Sequence, residues 1–338
     1  MHVTLPCKNQ YIARDSHFRQ MLHKKFRSNP DIFSKYQNIC AIGGGTGLGR
    51  LLEALSHLNV KSTGIIATSD NGGSTGWIRE HTNSIAWGDI RNCLNQMSPK
   101  GCMQGALFQY RFKEFRALEN QNLGNLMLYA LEQLSERPLE AINHAREILR
   151  IETVLIPMSE QPVHLAAHDQ DDVTQFGEIA VDGIRTLPND LWLDPSPITT
   201  PEAIHAVRKA DAIILSAGSL LTSVMPNLLL PNLLATITQS KAPVIFIGNL
   251  APIQDAVGTM TLGQQCRWME DILGENIIDI IIWPKSRERH DCDWIETLVA
   301  DVGDKNSKLR HDKKKLVAGI RKALESFDAK HSNSAPLS

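Results

Sequence analysis

Between residues 37 and 327 the chain alternates short apolar runs with longer stretches of helical spacing. Residues 37–42 form a strand-sized run that ends in a glycine cluster, and residues 48–58 follow with apolar positions three and four apart. Residues 63–69 are a second β-like run, and residues 90–149 read as largely helical. Strands are predicted again at 153–156 and 163–167. A further strand at 212–216 precedes a helix over 224–239, and strands at 244–248 and 277–282 complete the set. Leu316, Ile320 and Leu324 predict a terminal helix over 313–327. Strands alternating with helices pair in parallel through right-handed crossovers. The pattern therefore predicts an α/β fold, an open and mainly parallel sheet with helices on both faces and a helical segment after the second strand.

Composition narrows the class. A length of 338 residues suits two domains, or one large α/β domain. With 42% hydrophobic and 21% charged residues the chain can bury a core. A net charge of −2 argues against retention on nucleic acid or anionic membrane by bulk charge. The longest apolar runs, 211–215 and 243–247, are far short of the roughly 20 residues that span a bilayer. Residues 1–10 carry no apolar signal core, and the six cysteines include no Cys-x-x-Cys pair, so a cytoplasmic protein without disulfides or a zinc ribbon is expected. Residues 1–36 hold seven basic side chains against two acidic ones, a local net of +5, and the remainder is −7. This head reads as a basic N-terminal extension, residues 37–328 as a single domain, and 329–338 as a frayed tail.

In such sheets ligands bind outside the carboxyl ends of the strands, and the unusual residues gather at those ends. Gly43-Gly44-Gly45-Thr46-Gly47-Leu48-Gly49 joins the first strand to its helix, where glycines admit a phosphate to the helix N-terminus. It is neither a strict G-x-G-x-x-G nor a Walker motif. Ser69-Asp70-Asn71-Gly72-Gly73-Ser74-Thr75-Gly76 follows the second strand as a small-residue loop. Asp70 stands where an acidic residue meets a ribose diol in dinucleotide folds, or could hold Mg²⁺ beside a diphosphate; an Asp-Asn-Gly turn needs no ligand at all. Asp89, in Trp87-Gly88-Asp89-Ile90-Arg91-Asn92, is a candidate helix cap or ligand, and Arg91 in a first helical turn suggests a nearby anion. Asn125, after Asn122, faces a cap or a ligand. Ser216-Ala217-Gly218-Ser219-Leu220-Leu221-Thr222-Ser223 is a second hydroxyl-rich anion loop, and Asn249 ends the next strand. His164 and His168 lie four apart on a strand edge and are poor metal ligands there, and the 169–172 acidic run reads as a hairpin tip.

These motifs, together with 122–126 and 218–226, resemble the gluconeogenesis factor family of the 2-phospho-L-lactate transferase superfamily, in the same order over residues 37–327. The resemblance implies a Rossmann-like sheet, a cytoplasmic location and a nucleotide or nucleotide-sugar ligand, with UDP-N-acetylglucosamine expected. It further implies a role in cell shape and wall synthesis on gluconeogenic carbon sources, with cell-wall-synthesis proteins as partners. The expected phosphate-binding set is Gly43, Gly44, Gly45, Thr46, Gly47, Asp70, Asn71, Gly72, Gly73, Ser74, Asp89, Arg91, Asn92, Asn125, Gly218, Ser219, Thr222, Ser223 and Asn249. The chain departs from the family pattern at Ser216, Ala217 and Leu221, where Gly, Pro and Tyr are common, at Gln121 for His, and at Asn71 for a second Asp. Two functions remain open: a regulatory protein that binds a nucleotide sugar without turnover, and a Mg²⁺-dependent transferase in which Asp70 and Asp89 hold the metal. The glycine loop also resembles the tubulin-type GTPase signature, but Leu48 replaces a small residue and too few residues precede the first strand for that fold. Homo-oligomerisation is left open.

Overall fold

The computed structural model describes residues 31–287 and 291–332. Seven parallel strands form the central sheet: β1 (Asn38–Gly43), β2 (Lys61–Ile66), β3 (Val154–Pro157), β7 (Ala212–Leu215), β8 (Val244–Ile247), β9 (Ile280–Pro284) and β10 (Glu296–Ala300). Their order is β10-β9-β8-β7-β1-β2-β3. β7, β8 and β9 are buried along their whole length, as expected of parallel strands covered on both faces. Alternate residues feed two cores. Cys40, Ile42, Ile213 and Leu215 point into one, and Ile39, Ala41, Ala212 and Ile214 into the other.

The second of these faces is covered by α1 (Gly45–Leu55), α3 (Gly88–Met97), α4 (Met103–Gln109), α5 (Leu123–Leu134), α6 (Pro138–Leu149) and the terminal α12 (Lys313–Ser332). In α1, Leu48, Leu51, Leu52 and Leu55 make the buried stripe. The first face carries α8 (Pro201–Arg208), α9 (Met225–Leu228), α10 (Pro231–Thr238) and α11 (Leu262–Leu273). It also carries a small antiparallel sheet of β4 (His164–His168), β5 (Thr174–Phe176) and β6 (Asp190–Asp194), in the order β5-β4-β6. Two short helices, α2 (Gly73–His81) and α7 (Glu178–Asp182), complete the site region, and a hairpin of β11 (Gly303–Asp304) and β12 (Ser307–His311) precedes α12.

The α/β reading and the parallel central sheet are confirmed, with five local differences. The predicted strand at 163–167 belongs to the antiparallel sheet, not the central one. The helix expected over 224–239 is broken by Pro231, which cannot donate a helical N–H, into α9 and α10. The small-residue loop ends early, because α2 begins at Gly73. The first helix begins at Gly45 and ends at Leu55, three residues earlier at each end than its apolar spacing suggests. β10 carries no continuous apolar run, since it is a half-exposed edge strand. The 169–172 run is the exposed turn between β4 and β5, as expected. Of the basic extension, residues 1–30 lie outside the described residues. Phe33 and Tyr36 are buried, and the Tyr36 hydroxyl donates to Asp328 Oδ1 at 2.6 Å. Among the described residues no single helix is long and apolar enough to cross a membrane.

Candidate functional site

The direction of winding reverses between β1 and β7, which are neighbours in the sheet. In an open α/β sheet the crevice at such a reversal is where ligands bind. The glycine loop leaves β1 there, and the Ser216–Ser223 loop leaves β7 beside it. The two loops touch so closely that side chains are excluded. A Cβ at Gly43 would fall 2.1 Å from Ser216 Oγ and one at Gly47 1.8 Å from the Ala217 carbonyl oxygen, while α3 closes in from the other side, so that a Cβ at Gly44 would fall 1.9 Å from Asp89 Oδ2. Thr46 stands exposed on the lip. The Ser216 hydroxyl and Asn227 Oδ1 are buried here without a hydrogen-bond partner, while Asn227 Nδ2 donates to the Ser223 carbonyl at 2.9 Å.

Three helices start in this region without a side-chain cap: α1 after Gly44 at the end of β1, α2 after Gly72 beyond β2, and α3 after Trp87, which follows α2. Elsewhere α4, α5 and α11 are closed by Cys102, Asn122 and Thr261, α6, α8, α9 and α10 carry proline in the first turn, and the five-residue α7 also starts uncapped, at Gly177. Open first turns present free N–H groups and the positive end of the helix dipole. Ser219 adds a fourth corner, where its hydroxyl accepts from the Thr222 N–H at 3.1 Å and donates to Asp255 Oδ2 at 3.1 Å.

Carboxylates line the other side. Asp70 Oδ1 accepts from the Gly72 N–H at 2.7 Å, and a Cβ at Gly88 would lie 2.2 Å from Asp70 Oδ2. Burial raises the Asp70 carboxyl, opposed by the Gly72 N–H, the Thr75 hydroxyl, Arg79 and Arg91. Burial and the charge of Asp70 push Asp89 up to about 7. Glu178 is raised well above the carboxylate range by burial and by Asp70, Asp89 and Asp182. Asp182, on the rim, is raised to about 6 by burial and Asp255, and the Thr222 hydroxyl favours the ionised form of both α7 carboxylates. Arg91 answers this negative field; burial and neighbouring Arg111 lower its pKa.

The loops that carry the expected residues meet at the β1/β7 switch point, where Asp89 packs on Gly44 and Gly45, Asp70 on Gly88 and Ser223 on Gly44, and several of the polar groups are engaged. Asp89 does not cap α3: the cap position is Trp87, and Asp89 lies inside the first turn, against the glycine loop. Asn122 is the cap of α5 instead, accepting from the Asn125 N–H at 3.1 Å. Asn125 lies behind the site, with Oδ1 accepting from Arg91 Nε at 3.2 Å and Nδ2 donating to Thr75 at 3.3 Å. Ser74 accepts from the Asn122 N–H at 3.0 Å. Asn71 accepts from the Ile179 N–H at 3.0 Å and so docks α7. Asn249 closes the β7 loop, accepting from the Gly218 N–H at 2.9 Å and donating to its carbonyl at 2.6 Å. Asn92 approaches Gly45 and favours the ionised form of Asp89. Ser223 packs over Gly44 and Gly218, and Gly73, at φ +45°, has open space around it.

Sequence reasoning missed Arg79, Glu178, Asp182 and Asp255. The first lies on a helix the loop reading concealed, and the others lie on irregular or five-residue elements that carry no periodic signal. It also missed a cavity of about 260 Å³ beside the glycine loop, walled by Thr46, Arg50, Gly218, Asn249, Arg310 and His311. His311 is buried with Nε2 against the Gly248 carbonyl at 3.1 Å, and burial lowers its pKa to about 4. A larger hollow of about 760 Å³ opens at the opposite, amino edge of the sheet near Lys61 and Lys209, away from every glycine-rich corner.

The family model described as 2-phospho-L-lactate transferase CofD matches residues 39–326. The chain is 46% identical over 250 residues to a Pasteurella multocida protein named "Putative gluconeogenesis factor", covering 74% of this chain and 81% of that one. A Vibrio cholerae protein of the same name is 43% identical over 294 residues, 86% of this chain and 99% of the relative. A crystal structure of a Bacillus halodurans protein superposes with a TM-score of 0.78 at 27% identity, covering 86% of this chain and 98% of that one. Matched along nearly all of its described length, and with its loops meeting at the sheet's switch point, the chain belongs to the gluconeogenesis factor family within the CofD superfamily.

Proposed function

We propose that this protein binds a nucleoside-diphosphate-linked molecule, with UDP-N-acetylglucosamine as the expected ligand, and acts in the cytoplasm as a regulator of cell shape and wall synthesis during growth on gluconeogenic carbon. The supporting observation is the gathering of three uncapped helix starts and the Ser219 corner at the β1/β7 switch point, with Arg91 among them. Free N–H groups and helix dipoles suit a diphosphate. The carboxylates of Asp70 and Asp89 would repel that same diphosphate, and a divalent cation reconciles the two. Their oxygens fit Mg²⁺, which commonly takes one or two protein carboxylates and completes its shell with substrate phosphates and water. Among the described residues no three His, Cys, Asp or Glu side chains form a metal-holding group by themselves, so the phosphates would be part of the site. Asp70 and Asp89 would hold the ion, which would neutralise phosphate charge. Asn71, spent on docking α7, leaves this pair without a third acid from its own loop.

The test is mass spectrometry of small molecules that co-purify with the protein, compared with an Asp70→Ala variant, together with thermal melts. A ligand at 100 times its dissociation constant adds about 2.7 kcal/mol. No stabilisation by millimolar UDP-N-acetylglucosamine with Mg²⁺ would remove the ligand assignment. One observation supports a second reading, a transferase using a nucleoside-diphosphate-linked donor: Asp70 lies against Gly88 and Asp89 against Gly44 and Gly45, so both carboxylates stand at open helix starts, where Mg²⁺ would sit beside the donor diphosphate. Nucleotide release that depends on Mg²⁺ and stops on chelation would establish that reading, and its absence with every donor tried would end it.

A further inference from the structure

We infer that Arg79 is the positioning residue of the carboxylate side of the site, fixing the main chain of Asp70 by tying the β2 loop to the antiparallel sheet; this rests on the ligand reading above. Arg79 lies in the last turn of α2, half-buried, and its guanidinium reaches four acceptors on two separate elements. Nη1 donates to the carbonyl oxygens of Ser69 at 3.2 Å and Asp70 at 2.8 Å. Nη2 donates to the Val163 carbonyl at 2.6 Å and meets His164 Nε2 at 3.3 Å. Both nitrogens are therefore committed, one to the loop that presents Asp70 and the other to the edge of β4.

This clamp has a physical rationale. The β2 loop consists of small residues, Ser69 to Gly73, which hold little conformation of their own. Ser69 is fully buried, so an unpaired carbonyl there would be costly, and its hydroxyl already has no partner. The planar guanidinium holds the two loop carbonyls with one nitrogen and the Val163 carbonyl with the other, a fixed spacing that a lysine ammonium on a flexible stem does not reproduce. For Nε2 of His164 to accept from Arg79 the ring proton must sit on Nδ1, a buried nitrogen without a hydrogen-bond partner, so the clamp rests on the three carbonyl bonds. Arg79 also stands in the field of Asp70 and Glu178, so its charge offsets theirs without occupying the crevice. It touches the main chain of Asp70 rather than the carboxylate, which is the signature of an orienting group.

The experiment compares Arg79→Lys, Arg79→Met and the buried control Ile78→Ala. Titration calorimetry with UDP-N-acetylglucosamine and Mg²⁺ gives affinity, and hydrogen exchange of peptides covering 66–76 and 160–168 reads the clamp without any ligand. Replacing an orienting side chain should weaken binding about 10-fold to 100-fold. The expected result is that loss in both Arg79 variants, with faster exchange confined to the two segments, and Ile78→Ala losing stability with affinity unchanged. If wild type binds and the Arg79 variants bind equally well, the inference is overturned while the ligand reading stands. If wild type binds no nucleotide sugar, the ligand reading falls and exchange alone decides: unchanged exchange in Arg79→Lys rejects the clamp, and selective loosening of both segments upholds it.

Discussion

Replacing Gly47 with alanine sets two opposing effects against each other. Gly47 lies in the first turn of α1, where alanine should gain up to about 1 kcal/mol through backbone entropy. The new Cβ, however, would sit 1.8 Å from the Ala217 carbonyl oxygen. An ordinary carbon–oxygen contact is about 3.3 Å, so the two loops must part by about 1.5 Å. Neither side yields easily. α1 is anchored by Leu48, Leu51, Leu52 and Leu55, and Ala217 follows β7, which is paired on both edges. Overpacking of this kind costs about 1–3 kcal/mol, and a main-chain obstacle with no rotamer to change belongs at the upper end. The net destabilisation should be about 2 kcal/mol, or about 3 °C in melting temperature at an unfolding entropy of about 2.1 cal/mol/K per residue. Urea and thermal unfolding measure it, with Gly101→Ala as a comparison. Gly101 has φ +78° and open space for a Cβ, so it should show left-handed strain of about 1–2 kcal/mol and leave ligand binding intact. Gly47→Ala should also lose its response to UDP-N-acetylglucosamine. A Gly47→Ala protein as stable as wild type would refute the crowding on which the switch-point geometry depends.

Three other outcomes follow. The Asp89 carboxyl titrates at about 7 in the folded protein against an ordinary 3.8, so the folded state holds this proton longer than the unfolded chain. Its contribution to stability is complete below about 4 and lost as pH rises through 7; unfolding free energies should show Asp89→Asn losing less stability over that window, by at most about 4 kcal/mol at about 1.4 kcal/mol per pKa unit. Leu52→Ala empties a fully buried position against Gly64 and should cost about 3–5 kcal/mol in denaturant titration. Arg137→Ala severs bonds to Glu160 and Glu202, yet its side chain is 40% exposed, so the loss should stay below about 1 kcal/mol and shrink further in high salt.

The pattern of apolar runs revealed β7, β8 and β9 because each is buried along its whole length, and β1, β2 and β3 because their carboxyl halves are. It failed where burial is one-sided or the element is brief, as in β10, β5 and α7. Glycine clusters marked the corners where strand-end loops pack closely, since a close approach between backbones leaves a compositional trace. Asn71, Asn125 and Asn249 were recognised as unusual, but their local sequence could not show that their amides bind distant helices and loops across 31 to 108 residues. Glu178 and Arg79 were invisible for the same reason: a charge on a short helix reads as solvated until the tertiary fold buries it.

The most direct measurement is a crystal structure of the protein with UDP-N-acetylglucosamine and Mg²⁺. Diphosphate density within hydrogen-bond distance of the main-chain N–H groups of residues 44–47 and of Ser219, with the ion on Asp70 or Asp89, is the predicted result. Ligand bound at the amino-edge hollow near Lys61 and Lys209, or nowhere on the chain at saturating concentration, would contradict it.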